Sequence, residues 1–153
     1  MILSNAGVSV ERVIDAPPEA IFDLLADPVR HRDIDGSGTV RDAVDGPDRL
    51  SLGATFGMKM QAGAPYSMLN EVVEFEKDRR IAWQARPTAR WARRFIGGRI
   101  WRYELEPVQG GTRVRESWDI SKEQVPPLVA GLRPLTKKGM ERSLERLAAL
   151  TAT

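Results

Sequence analysis

The stretch Glu11-Arg-Val-Ile-Asp-Ala-Pro-Pro-Glu-Ala-Ile-Phe-Asp-Leu-Leu-Ala-Asp-Pro28 sets the start of the fold. Its first part belongs to a β-branched, roughly alternating run that predicts a strand over 8–15. Two prolines follow, and proline is favoured in the first turn of a helix. The apolar spacing of the next residues therefore predicts a short amphipathic helix over 19–25. Asp27-Pro28 then begins a second short helix that ends near Arg32.

Beyond a glycine-rich turn at 35–38, the chain has the pattern of short strands separated by turn residues. The close spacing of these turns predicts antiparallel hairpins rather than parallel strands joined by helices. A long C-terminal helix is predicted over 135–150, after a proline-rich connection, with Met140, Leu144, Leu147 and Ala148 on one stripe. The predicted strands are 39–44, 52–61, 66–76, 81–86, 98–107 and 112–120.

This order of elements, with its motifs, resembles the START-like (SRPBCC) superfamily, which includes polyketide cyclase/dehydrase-type proteins and the birch-pollen-allergen fold. The 11–28 stretch is similar to the opening strand and helix of that family. The run Gly98-Gly-Arg-Ile-Trp-Arg-Tyr-Glu-Leu-Glu-Pro107, followed by Gly110-Gly-Thr-Arg-Val-Arg-Glu-Ser-Trp-Asp119, is similar to its last hairpin. Ser143-Leu-Glu-Arg-Leu147 matches its final helix.

The resemblance covers nearly the whole chain and implies an α+β helix-grip fold in one ligand-binding domain, residues 1–153. In that fold a curved antiparallel sheet of about seven strands wraps around the long C-terminal helix, and two short helices follow the first strand. A cavity lies between sheet and helix. Because the family contains binders, carriers and a few enzymes, the resemblance implies no catalytic motif.

The composition limits the kinds of metal site, covalent cross-link and membrane segment that the chain can form. The 153 residues include no cysteine and one histidine, and the formal net charge is +2. Disulfides, thiolate metal sites and histidine-based metal sites are therefore excluded, and we expect no cofactor and no metal. The single histidine, His31, is expected at the surface, at a helix end. The N-terminus lacks the pattern of a signal peptide, and no apolar run is long enough to span a membrane, so we expect a cytoplasmic protein.

Strand alternation predicts which side chains line the inner face of the sheet. Large aromatic side chains and adaptable methionines suit a site for variable apolar ligands. The alternative is that these side chains simply fill the core. The predicted ligand-binding residues are Phe56, Met58, Met60, Trp83, Trp101, Tyr103, Glu116, Trp118, Met140 and Leu144.

Glu116 is the exception on this face, because it places a carboxyl between the apolar residues Val114 and Trp118. A buried carboxylate needs a partner or a proton, and Arg12 and Glu71 are its expected neighbours. If the protein is an enzyme, Glu116 and Tyr103 are its candidate catalytic residues. The structural alternative is an ion pair, or a carboxylate that reaches water at a strand end.

The segment 86–102 contains six arginines and no acidic residue. Trp91 and Phe95 lie among these arginines and are predicted to form a lid that caps the pocket. The alternative is a patch that docks to a macromolecule through the arginines.

Three functions follow, of which binding or carriage of a hydrophobic small molecule such as a lipid, polyketide or isoprenoid is preferred. The others are a cyclase or dehydratase, and an interaction module that docks through 86–102. Catalysis stays open, with a non-enzyme preferred. The expected partner is a hydrophobic small molecule, without nucleic acid or integral membrane association, and a homodimer stays open.

Overall fold

A computed structural model describes residues 7–152, and the element order in this range agrees with the predicted helix-grip fold. Short 3-10 turns precede α2 and interrupt the segment between β5 and β6, at Pro28–Arg30 and Ala92–Arg94. The elements are β1 (Val8–Ile14), α1 (Pro18–Leu25), α2 (His31–Ile34), β2 (Val40–Val44), β3 (Thr55–Ala62), β4 (Ala64–Glu76), β5 (Arg80–Pro87), β6 (Ile100–Val108), β7 (Gly111–Asp119), α3 (Pro126–Ala130) and α4 (Arg133–Thr151).

The seven strands form one antiparallel sheet in the order β1-β7-β6-β5-β4-β3-β2. Strands β2 to β6 each pair with the next strand along the chain, as short turn-linked strands should. The first strand instead pairs with the last, with Val8 opposite Trp118 and Ile14 opposite Thr112. The predicted antiparallel hairpins are therefore confirmed.

The helices cover one face of the sheet. In α1, which begins at Pro18, Ile21, Phe22 and Leu25 are buried as the amphipathic pattern predicts. In α4 the apolar stripe Met140, Leu144 and Leu147 is also buried, and this helix packs chiefly along β1. The core lies between these stripes and the inner face of the sheet.

A close contact between α4 and the end of α2 fixes the helix over the sheet. The backbone N–H of Gly36 donates to the Ser143 hydroxyl at 2.9 Å. A Cβ on Gly36 would lie 2.3 Å from the carbonyl oxygen of Gly139 and 2.6 Å from the Ser143 nitrogen. Only glycine allows the two backbones to approach so closely.

Gly36→Ala is therefore expected to lower the free energy of unfolding by about 2 kcal/mol, because the added methyl forces α2 and α4 apart. Gly131→Ala is the matched control, since no atom lies within 4 Å of its Cβ position and its backbone is right-handed helical. Urea unfolding of both variants measures the difference. Equal stability of the two would show that this contact does not hold the helix in place.

The C-terminal part of the chain differs from the prediction in two details. The proline-rich connection contains the short helix α3, which begins at Pro126, and α4 begins at Arg133 instead of 135. Both helices carry proline in the first turn, where its missing N–H costs nothing.

The inner face of β4 also differs from the prediction. Glu71 is exposed, whereas Met68, Asn70 and Val72 are buried. The register shifts between Val72 and Glu74, so the alternation of faces changes phase within the strand.

Candidate functional site

Cross-strand register places the predicted site residues of β5, β6 and β7 in two rows on the inner face. Trp83, Trp101 and Trp118 lie opposite one another in one row. Ile81, Tyr103 and Glu116 form the next row. Tyr103, Glu116 and Trp118 are buried, while Trp83 and Trp101 are partly exposed. The structure thus brings together the predicted residues of these three strands.

The remaining predicted ligand-binding residues lie on the neighbouring elements. Phe56 and Met58 are buried on β3, and Met60 near the end of that strand is partly exposed. Met140 and Leu144 are buried on α4. All ten predicted side chains therefore belong to the core or to its margin, and their role in binding stays a prediction.

An aromatic cluster, made of His31, Phe56, Trp83 and Tyr103, occupies the inner face. The His31 ring stacks on Trp83 with ring centroids 4.7 Å apart and meets the edge of Phe56 at 5.5 Å. Trp83 in turn lies 5.8 Å from Tyr103. A second aromatic contact joins Trp101 and Trp118 at 6.2 Å.

The prediction of a surface position for His31 is wrong. His31 is buried, and its Nε2 lies 2.8 Å from the carbonyl oxygen of Leu25. Burial lowers the pKa of His31, although the Leu25 contact and the charge of Asp27 oppose that shift. A neutral ring that donates from Nε2 fits this contact. The signal was the helical spacing, because Pro28 and Ile34, three residues away on either side, are buried too.

Glu116 is buried, with 2% of its surface exposed. Burial raises the pKa of Glu116 to about 8, a hydrogen bond from Tyr103 opposes the shift, and the charge of Asp35 adds to it. The carboxyl is therefore mostly neutral at pH 7. Burial and the adjacent Glu116 also raise the pKa of Tyr103 well above its usual value.

The predicted neighbours of Glu116 are wrong. Arg12 shares the inner face through its register position opposite Val114, but β1 is an edge strand and the Arg12 side chain is exposed. Glu71 is exposed for the reason given above. Tyr103 could have been found from the turn, because pairing of Val108 with Gly111 across Gln109-Gly110 places Tyr103 opposite Glu116.

Two buried polar atoms on this face have no hydrogen-bond partner among residues 7–152. They are Oε1 of Glu116 and Nε1 of Trp118, on adjacent inward positions of β7. Leaving a buried polar group unpaired costs about 1–3 kcal/mol. Both atoms thus leave hydrogen-bonding capacity unused on the inner face of β7.

Two surface concavities of the described chain lie outside the aromatic cluster. One of about 300 Å³ separates β1 from α4 and is bordered by Arg12, Lys137 and Glu141. The other, of about 450 Å³, lies on the outer face of the sheet beside Arg80 and Glu104. Of the predicted ligand-binding residues, Leu144 alone borders either one. The aromatic cluster is packed against itself in this conformation.

The predicted lid residues face solvent. Trp91 is 74% exposed and Phe95 is 53% exposed, so neither caps the aromatic cluster in this conformation. The 3-10 turn Ala92–Arg94 is held by a hydrogen bond from Arg93 Nε to the Pro87 carbonyl oxygen, and Ala92 within it is buried.

Glu123 is a buried carboxylate that the sequence analysis missed. It accepts hydrogen bonds from the backbone N–H groups of Gly97 and Arg99, at 3.1 and 2.8 Å, and from Arg99 Nε at 3.1 Å. Its side chain is fully buried, whereas that of Arg99 is 18% exposed. Glu123 thus fixes the end of the arginine-rich segment to the connection before α3.

Comparison with known proteins decides the family. A family model described as polyketide cyclase/dehydrase and lipid transport matches residues 5–152. The chain belongs to this family. This membership confirms the fold that the START-like resemblance implies. The fold of the family is a hydrophobic ligand-binding fold.

One curated relative of this chain is an uncharacterized protein, Rv0088, of Mycobacterium tuberculosis H37Rv. It is 35% identical over 108 residues, which are 69% of this chain and 44% of the relative. The chain thus matches less than half the length of that protein.

Solved structures support the fold of this family member. A crystal structure of protein Ms6760 from Mycobacterium smegmatis superposes with a TM-score of 0.72 at 16% identity, covering 97% of this chain and 92% of the other. The AHSA1 protein from Silicibacter pomeroyi superposes with a TM-score of 0.69 at 18% identity, covering 95% and 96%.

Two further findings concern the described residues of this family member. Within residues 7–152, no group of three histidine, cysteine, aspartate or glutamate side chains converges as a metal site would require. The helices in the same range are too short or too polar to cross a bilayer.

Proposed function

We propose that this chain binds a hydrophobic small molecule on the inner face of the sheet, and that Glu116 and Trp118 hold an oxygen atom of that molecule. The observation that carries the proposal is the pair of buried, unpartnered polar atoms on β7. Their surroundings are apolar, since Val114 and Ile120 flank them on the same face. An apolar ligand with one polar group would satisfy both atoms and keep the remaining surface dry.

The chemistry of the two atoms selects the ligand's polar group. The indole N–H of Trp118 only donates. With its pKa raised to about 8, the Glu116 carboxyl is mostly protonated at pH 7 and can donate as well. Two donors on an apolar face favour an acceptor such as a carbonyl or ester oxygen. Lipid esters and polyketides carry such oxygens on an otherwise apolar frame.

Ligand entry requires side chains to separate, because the aromatic cluster is packed. The partly exposed residues Met60, Trp83 and Trp101 lie at the margin of that cluster, where the inner face reaches solvent. Methionine and aromatic side chains at this margin can change rotamer at small cost. We therefore expect entry past these residues.

Trp118→Phe is expected to weaken the binding of an uncharged naphthalene ketone dye about 5- to 10-fold, because the variant keeps an aromatic ring but loses the N–H donor. Trp101→Phe is the matched control, since it makes the same change to a ring on the same face. Fluorescence titration of the dye measures both dissociation constants. An equal loss in both variants would mean that the rings, not the indole N–H, determine affinity, and unchanged affinity would remove Trp118 from the site.

A second candidate is a cyclase or dehydratase, favoured by the contact between the Glu116 carboxyl and the Tyr103 hydroxyl. A carboxyl with a pKa of about 8 can deliver a proton near neutral pH. Native mass spectrometry of the purified protein separates the two functions. A retained ligand whose mass stays constant during incubation supports a binder or carrier, and loss of one water that Glu116→Gln prevents supports the enzyme.

A further inference from the structure

Exposed apolar side chains concentrate in two segments. Of the twelve large hydrophobic side chains exposed in residues 7–152, six lie within 91–95 and 125–135. In the second segment Leu128 lies on α3, Leu132 directly precedes α4 and Leu135 lies in the first turn of α4. All three leucines, called here the leucine stripe, are exposed, whereas Val129 between them is buried. A helix at the surface of a protein normally presents its polar side there.

The two segments are joined by a close backbone contact between residues 97–99 and 122–124, called here the anchor. Glu123 accepts hydrogen bonds from the backbone of Gly97 and Arg99, and the Gln124 N–H donates to the Gly97 carbonyl oxygen at 3.0 Å. A Cβ on Gly98 would lie 2.0 Å from the Lys122 carbonyl oxygen, so the two backbones touch here. Phe95 precedes this anchor by two residues and Val125 follows it by one. Phe95 and Val125 thus lie beside this contact, and the other exposed apolar residues follow them along the two segments.

The two segments and the residues that flank them carry basic side chains and no acidic ones. Residues 86–102 contain six arginines and no acid, and residues 124–140 contain Arg133, Lys137 and Lys138 and no acid. Two of these arginines are paired, Arg99 with the buried Glu123 and Arg102 with Glu74 and Asp119. Arg90, Arg94, Lys137 and Lys138 are exposed. None of these four cations is in an ion pair within residues 7–152, so the exposed apolar side chains lie near unpaired positive charge.

We propose that residues 90–95 and 125–138 form a docking surface for an anionic phospholipid bilayer. Tryptophan and phenylalanine insert at the level of the lipid headgroups, and the leucine stripe lies against the acyl chains. The arginines and lysines contact anionic headgroups, since each such residue adds attraction to a negatively charged leaflet. Docking there would bring a carrier of apolar molecules to the phase in which such molecules dissolve.

A bilayer fits this surface better than a nucleic acid does. Phosphate backbones attract arginine and lysine, but they offer nothing for three exposed leucines on one stripe. A bilayer interface takes up the cations and the apolar stripe together. The two partners therefore differ in their dependence on the leucines, and this difference decides the test.

The test is sedimentation of the full chain with vesicles of phosphatidylcholine, alone or mixed with phosphatidylglycerol. Wild-type protein should bind the mixed vesicles at least about tenfold more strongly than the neutral ones. Leu128→Ser/Leu135→Ser should lower the partition coefficient about 10- to 100-fold. Arg94→Gln/Lys137→Gln/Lys138→Gln should lower it about 100-fold, with a loss that salt reproduces in the wild type. The summed tryptophan emission should shift to shorter wavelength on binding, because the exposed Trp91 enters an apolar phase.

Leu52→Ser is the matched control, because Leu52 is 66% exposed but lies in the β2–β3 connection. It should bind mixed vesicles as the wild type does. Absence of wild-type binding to mixed vesicles, or equal binding by all variants, would overturn the proposal. So would binding of a DNA or RNA duplex that the arginine and lysine changes abolish and the leucine changes leave intact, without vesicle binding. Trp118→Phe should bind vesicles normally, so failure of the ligand proposal and failure of this one can be told apart.

Discussion

Glu116→Gln is expected to remove a loss of stability that the wild-type protein undergoes as pH rises from about 5 to 8. The free energy of unfolding of the wild type, relative to the variant, should fall by roughly 3 to 4 kcal/mol over this range. The cause is burial, which raises the pKa of this carboxyl from 4.5 to about 8. Glutamine preserves the shape and hydrogen-bonding ability of the side chain but cannot ionise.

Stability decreases with rising pH because the folded and unfolded states bind different numbers of protons. Between pH 4.5 and 8 the folded protein keeps the Glu116 proton and the unfolded chain releases it. The folded state therefore binds more protons, and stability decreases as pH rises. The contribution is fully present below the unfolded pKa of 4.5 and is lost as pH rises through the folded pKa of about 8.

Titration of His31 has the opposite effect on stability from titration of Glu116. Because burial lowers its pKa below 6.5, the protein loses stability as pH falls below that value. His31 is the same in both proteins, so the difference between wild type and Glu116→Gln cancels its effect. Glu74, whose pKa is lowered chiefly by its hydrogen bond with Arg102, titrates below this range.

Urea unfolding of the two proteins at about pH 5, 6.5 and 8 measures the difference. Tyr103→Phe is a useful companion, since loss of its hydroxyl removes the hydrogen bond that favours ionised Glu116 and should enlarge the pH dependence. A difference between wild type and Glu116→Gln that is constant with pH would show that Glu116 titrates as an exposed glutamate.

Local patterns predicted the strands and antiparallel hairpins because this sheet is built mainly from strands that are neighbours in sequence, whereas the helix-grip arrangement was implied by the family resemblance. In β6 and β7 alternation alone identified Tyr103, Glu116 and Trp118 as inward residues, and no bulge interrupts these strands. In β4 the same reasoning failed at Glu71, because the shift between Val72 and Glu74 changes the phase. Alternation cannot locate such a shift.

The candidate site was predictable in its apolar part and less so in its polar contacts. The spacing of His31 from Pro28 and Ile34 is the one local signal for its burial, whereas the rings that cover it, Trp83 and Phe56, are distant in sequence. Glu123 follows Ser121 and Lys122, both exposed, and its partners Gly97 and Arg99 lie more than twenty residues earlier. No local pattern marks a carboxylate whose burial results from a contact of that length.

Glu123→Ala is expected to lower the free energy of unfolding by about 3 kcal/mol, the second largest effect on stability that the structure predicts. The change removes the acceptor of three hydrogen bonds. It leaves the backbone N–H groups of Gly97 and Arg99 without their partner and the Arg99 guanidinium, 18% exposed, without its counter-charge. Unpaired groups of this kind cost more than the hydrogen bonds themselves contribute.

Glu106→Ala is the control, because it removes an ion pair with Arg113 in which both side chains are largely exposed, at 64% and 46%. Such a pair contributes about 0–1 kcal/mol, so this variant should unfold nearly as the wild type does. The stability lost by Glu123→Gln should lie between the losses of Glu123→Ala and Glu106→Ala. Its amide oxygen still accepts hydrogen bonds but carries no charge to pair with Arg99. Urea unfolding at one pH compares the three. If Glu123→Ala loses no more than Glu106→Ala, the connection before α3 is held by the backbone contacts of Gly97 and Gly98 alone.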